Sequence, residues 1–410
     1  MTRRLKAVSI LLLAGGVLLL SGGASCTILY LVIPFFYQGS DRLATTLTLA
    51  SLAAIGLTLG YGLTYQARSF LRGHRSRTFF PPPPWRLASL FVLSLLVGQL
   101  MISLLPRARF TSLAFPPFHV LAAAAPALVA LAFVGRRTRA ASWRTVVLEL
   151  SHGAVLAPMG ALVAELLVIL AILVAFSLIA ALTPGGLDRL VELSLNLQDP
   201  AWLENPENLA RLVLSPAALS AIVLVFVVLA PLIEEFIKGL GVLLLGYRLR
   251  GPAEAWLWGV ACGAGFAIGE SLFNGSIALE GWGLVMLMRC AASLMHCMAS
   301  GVMGLGWYQG LVSRRPWRLL AAYGASTGIH ALWNAAAIAV AVPSLAMASD
   351  PGGLLPQGLA GLVIMGALAL LLLLTVSMSV AMVSLTNRTR QASPATHPAN
   401  GETAPDCEVL

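Results

Sequence analysis

Pro231-Leu-Ile-Glu-Glu-Phe-Ile-Lys-Gly-Leu240 sets two adjacent carboxylates and an amine inside a run that is otherwise apolar from Pro216 to Gly246. That run exceeds the roughly 20 residues a helix needs to cross a bilayer. Charges at such a depth cost several kcal/mol each unless they are paired, hydrated or used. The segment therefore fixes the class of the protein and poses its chemical question together. The whole chain agrees on the class: 58% of its 410 residues are hydrophobic and 10% are charged, against roughly a quarter charged in soluble domains. The expectation is an all-α polytopic membrane protein.

Hydropathy places about ten transmembrane helices at 7–36, 43–65, 87–105, 117–135, 150–182, 216–247, 253–274, 284–311, 319–342 and 357–385. Nineteen of the 26 Lys and Arg residues fall on one side of this scheme, among them Arg72, Arg75, Arg136, Arg137, Arg314 and Arg315. The positive-inside rule then makes both termini cytoplasmic. The net charge of +9 is a topology signal, and nucleic acid is not an expected partner. Five scattered cysteines without Cys-x-x-Cys spacing give neither a disulfide framework nor a zinc knuckle. Thr2-Arg3-Arg4 ahead of an apolar run imitates a secretory signal. The run continues far beyond a signal's apolar core, so an uncleaved anchor is expected.

The chain divides into five N-terminal spans with an acidic outer loop (1–215), a four-helix membrane core (216–343), an outer loop with the tenth span (344–390), and a disordered cytoplasmic tail (391–410). Cys407 to Leu410 loosely fit a prenylation box, and chance accounts for it in a chain already held by ten spans.

The core carries the polar residues a membrane span would rather lack. Glu234, Glu235 and Lys238 lie in span six, Glu270 in span seven, Arg289 and His296 in span eight, and His330 with Asn334 in span nine. Glu234 and Lys238 are four apart, as are His330 and Asn334, so each pair shares a helix face. At about 1.5 Å per residue, Glu234, Glu270, His296, His330 and Asn334 lie roughly 21, 28, 25, 18 and 24 Å from the cytoplasmic ends of their spans. These spans alternate in direction, yet their polar residues share a layer. Span five also holds His152 and Glu165, respectively lower and higher.

Each residue alone has a packing explanation, since His and Asn commonly bridge helices and Arg can snorkel. The set is better suited to hydrolysis. Cleaving a peptide in a membrane requires a water, a base and donors for the oxyanion. Glu234 or Glu235 is the expected base, Lys238 an electrostatic partner, His330 and Asn334 the oxyanion contacts, and His296 a group that positions water or protonates the amine. Glu270 and Arg289 support them. Glu235, His296 and His330 would also suit zinc, although no His-Glu-x-x-His motif demands a metal.

In order along the chain, Glu234-Glu235-Phe-Ile-Lys238, Phe266-Ala-Ile-Gly-Glu270, Arg289 with His296, and His330-Ala-Leu-Trp-Asn334 resemble the motifs of the PrsW-type intramembrane proteases, relatives of the CPBP proteins and the type II CAAX prenyl endopeptidases. The resemblance covers roughly 216–340. It implies an endopeptidase of glutamic or metallo type that cuts membrane-anchored proteins or peptides, in some members an anti-sigma factor. One departure stands out. The family's second acidic residue is usually followed by Asn; here Ser271 follows Glu270, with Asn274 one turn on. The alternatives are a proton-coupled transporter, which needs a polar path to both faces, and a non-catalytic scaffold of the same family. Arg-rich, Lys-poor composition (24 Arg, 2 Lys) fits the cytoplasmic membrane of a GC-rich bacterium.

Overall fold

Backbone N–H and C=O groups in hydrocarbon must be satisfied within the chain, so long apolar runs close into helices. The computed structural model describes residues 3–37, 39, 41–105, 109–277, 279, 281–349 and 357–392. The tail beyond 392, with the Cys407 box, and the loop at 350–356 lie outside the described residues. Among those described, ten helical segments are long and apolar enough to cross a membrane.

Helices α1 (Arg3–Phe36), α2 (Arg42–Leu71), α3 (Pro84–Leu104) and α4 (Arg109–Thr138) form the first four spans. Span five joins α5 (Trp143–Ser151) to α6 (Ala157–Ala181) through one wide π turn, His152–Leu156. Short helices α7 (Gly186–Asn196), α8 (Pro200–Glu204) and α9 (Pro206–Val213) fill the acidic loop. Span six is again composite: α10 (Pro216–Ile222), a π segment Val223–Leu229, and α11 (Ala230–Leu245). Then come α12 (Pro252–Ile277), α13 (Trp282–Leu311), α14 (Pro316–Ser349) and α15 (Gln357–Ala392).

The chain forms two compact units. The first comprises Met1–Pro158, Ile237–Ser326 and Met378–Leu410. Its pivot is α12, of whose most apolar window 83% is buried. Glycine explains how α12 gets so close to its neighbours. A Cβ at Gly259 would lie 2.2 Å from Ser300 O, and one at Gly263 2.3 Å from His296 O. The α12 and α13 backbones thus touch directly, the small-residue packing that replaces hydrophobic collapse inside a membrane. Gly56 and Gly60 of α2 meet α1 in the same way, at Leu19 O and Leu20 N. At one end, Leu47, Phe115, Leu272, Trp282 and Met286 form a buried cluster. His119 joins it with both ring nitrogens used. Trp282 Nε1 donates to Nδ1 at 3.0 Å, and Nε2 lies 3.0 Å from Leu272 O.

The second unit comprises Met159–Phe236 and Thr327–Ser377. No part of the most apolar window of span five is buried. Its Leu166, Leu167, Leu170 and Leu173 are exposed, as befits a face covered by lipid.

Candidate active site

In the second unit the geometry starts from a proline. Pro231 has no N–H, so it can give nothing to a carbonyl one turn back. In the π segment each donor reaches five residues back; Ala230 N, for example, donates to Val225 O. Continuing that ladder, Phe226 O would need the N–H that Pro231 lacks. Asn334 Nδ2 supplies the missing donor, 2.8 Å from Phe226 O. One turn before Asn334 on α14, His330 Nδ1 lies 2.9 Å from Glu235 Oε1 and 3.9 Å from Glu234 Oε2. Glu235 is fully buried, and the Glu234 side chain keeps 16% exposure. An ionised carboxylate only accepts, so His330 Nδ1–H donates to Glu235. The His330/Asn334 pair expected on one helix face thus has two anchors: a carboxylate and an orphaned carbonyl.

In the first unit the remaining expected residues form one network. Arg289 clamps Glu270 with two parallel bonds, Nη1–Oε1 at 2.9 Å and Nη2–Oε2 at 2.8 Å. Such a fork fixes direction as well as charge. His296, two turns after Arg289, brings Nε2 to 2.7 Å from Glu270 Oε2. Its Nδ1 lies 3.3 Å from Lys238 Nζ. Ammonium only donates and carboxylate only accepts, which makes His296 the neutral Nε2–H tautomer between them. Phe266 backs both, its ring 4.2 Å below the Lys238 ammonium and 5.2 Å from the His296 ring. Lys238 is almost completely buried, and the imidazole and the aromatic face are among the groups that stabilise its charge.

Ser271 and Asn274, the point of departure from the family pattern, both enter this network. Arg289 Nε donates to Ser271 Oγ at 3.1 Å, and Asn274 Nδ2 donates to Glu270 Oε1 at 3.2 Å. The amide at 274 therefore supports the carboxylate from one turn away. The two sets are thus Glu234, Glu235, His330 and Asn334 in one unit, and Lys238, Glu270, Arg289 and His296 in the other.

A family model described as PrsW family intramembrane metalloprotease matches residues 157–372, more than half of the chain. The chain belongs to the PrsW family. The match runs from span five to span ten and so exceeds the region carrying the four motifs. Neither the curated proteins nor the solved structures returned a match. Membership makes the protein a membrane protease, and all eight motif residues fall within the matched segment.

Sequence reasoning gave no role to three positions, although it placed His152 in span five below the polar layer. His119 carries no motif and lies outside the matched segment. Glu149, fully buried on α5, precedes the segment that looked like a span. His152 lies at the π turn, where Nε2 is 3.1 Å from Ile237 O. The signal for the last two was Glu-x-x-His spacing, which puts both on one helix face.

Proposed function

We propose that this PrsW protein hydrolyses peptide bonds of membrane-anchored proteins with a water activated by Glu234. The observation carrying the reading is the buried Glu235–His330 contact with partly exposed Glu234 beside it. Glu235 holds the His330 ring, leaving Glu234 as the carboxylate with access to water and substrate. Glu234 takes the proton as the water attacks the carbonyl carbon. The second amide proton of Asn334 donates to the oxyanion, and His330 joins it from Nε2 as an imidazolium whose Nδ1–H stays on the Glu235 carboxylate. The protonated Glu234 then returns that proton to the leaving amine, and His296, held by Glu270 and Arg289, is a positioning residue. Lys238 keeps the surroundings favourable to the ionised carboxylates.

The donor types also fit a metal. Glu234, His296 and His330 offer one carboxylate and two imidazoles, a zinc-type set. Glu270 against His296 Nε2, and Glu235 against His330 Nδ1, are the outer carboxylates that orient metal-ligating histidines. This assigns Glu234 as the carboxylate ligand and Glu235 as its support. When bound, zinc supplies Lewis acidity and acidifies a water. The Lys238 ammonium faces His296 Nδ1, so a metal held by that nitrogen would have to displace it.

In this reading the substrates are single-span or membrane-tethered proteins, cut in regulatory proteolysis of the anti-sigma-factor kind, in a bacterial cytoplasmic membrane with both chain termini inside. The test uses Glu235→Gln and His330→Ala with a membrane-anchored reporter in proteoliposomes. Both variants are expected to remain inserted and abundant while cleavage disappears. Cleavage at the normal rate by either contradicts the assignment.

A further inference from the structure

A second group of buried polar atoms lies along α5 and residues 237–248, entirely within the first unit. Arg144 Nε, Arg248 Nε and both carboxylate oxygens of Glu149 have no hydrogen-bond partner among the described residues. Arg144 and Arg248 lie at the Arg-rich end of this group. Further in, a Cβ at Gly241 would lie 2.5 Å from Glu149 Oε2 and 2.7 Å from His152 Cδ2. Gly241 therefore makes room on α11 for a carboxyl group and an imidazole. Next along the seam, His152 Nε2 lies 3.1 Å from Ile237 O. The following carbonyl, that of Lys238, accepts from Cys262 Sγ at 3.2 Å. Lys238 Nζ then meets His296 Nδ1.

This arrangement is costly for packing alone. Glu149 is 1% exposed, and a buried carboxyl without a partner is a heavy penalty that a leucine would avoid. Buried polar groups that lack protein partners are where internal water resides. Hydrolysis consumes one water for every bond cut, and the exposed leucines elsewhere on the protein face lipid that holds none.

We propose that the α5–α11 seam, from Arg144 and Arg248 past Glu149 and His152 to Lys238, is a chain of water sites that hydrates the Lys238–His296 pair from the Arg-rich side. The ligand is water, held by the Glu149 carboxyl and the His152 ring. Its purpose rests on the protease reading; its existence does not. It also means that polar groups extend from the layer shared by spans six to nine toward the Arg-rich side.

The first test needs no mutation. Exchange of the histidine C2 hydrogen in D2O, followed by mass spectrometry, reports water at each ring of the full-length protein. His119, dry and with both nitrogens taken, is the internal reference. His152 is expected to exchange about tenfold faster than His119, because exchange follows local access to water. Equal, slow exchange at both rings overturns the proposal. Glu149→Leu fills the seam and is expected to bring His152 exchange down to the His119 rate and to lower kcat on the membrane-anchored reporter about tenfold at unchanged KM, while Glu149→Gln keeps both near wild type. A purely structural Glu149 predicts the opposite for leucine: a more stable protein with full activity, which also refutes the water route. Should the wild type cleave nothing, the protease reading fails and the exchange data alone decide the seam.

Discussion

Asn334→Ala probes the link between a proline in one span and an amide in another. The substitution removes the donor to Phe226 O, and Pro231 cannot replace it. Interhelical hydrogen bonds within membranes contribute about 0.6 kcal/mol on average and up to about 1.7. A buried carbonyl left unpaired costs about 1–3 kcal/mol. The expected destabilisation is therefore about 1–2 kcal/mol. Pro231→Ala changes that outcome, because a backbone N–H from 230 or 231 then reaches Phe226 O in either the α or the π pattern. In that background Asn334→Ala should cost less than about 0.5 kcal/mol, a coupling of about 1 kcal/mol between sites a hundred residues apart in sequence. Reversible unfolding of the four proteins in mixed micelles measures the cycle. Activity separates the two roles of Asn334: the double variant recovers stability but not kcat, because the oxyanion donor is still missing. An equal cost of Asn334→Ala in both backgrounds refutes the orphaned-carbonyl argument.

Other perturbations read the second set. Glu270→Gln leaves Arg289 without its counter-charge and His296 without its orienting carboxylate, and kcat should fall about 10–100-fold, the usual effect of losing an outer-shell partner. Arg289→Lys keeps the charge and loses the fork, so a reporter assay should show a loss close to that of Glu270→Gln, since lysine cannot bond both oxygens at once. Lys238→Met removes the ammonium that faces His296 Nδ1; zinc titration of the purified protein should then show affinity raised about tenfold. Gly263→Leu drives a side chain into His296 O, 2.3 Å from where its Cβ would begin, and the yield of folded protein should drop sharply.

Hydropathy and the distribution of arginine were enough to read ten spans, because lipid imposes length and composition on each crossing separately. Motif spacing was enough to pair His330 with Asn334 and Arg289 with His296, since helical periodicity decides which side chains share a face. It could not pair residues across helices. Glu235 rather than Glu234 holds His330, which does not follow from spacing along one helix, whereas Asn274, one turn after Glu270, could be read from it. The π turns at His152–Leu156 and Val223–Leu229 also escape a periodic reading. Each shifts the register of everything beyond it, so depth counted at a constant rise drifts along spans five and six. A proline such as Pro231 leaves a carbonyl one turn back without its donor, but spacing does not name the partner that repairs it. Glu149 escaped because its neighbours Trp143 and Arg144 read as a loop, whereas the structure runs α5 from Trp143 into the span.

The central claim is that Glu234 activates the water that cuts the peptide. Purified wild type and Glu234→Gln, reconstituted with a single-span reporter and compared over one turnover, test it most directly. The account predicts product with wild type and none with Glu234→Gln, although both bind the reporter equally well. Product formed by Glu234→Gln at the wild-type rate would contradict it.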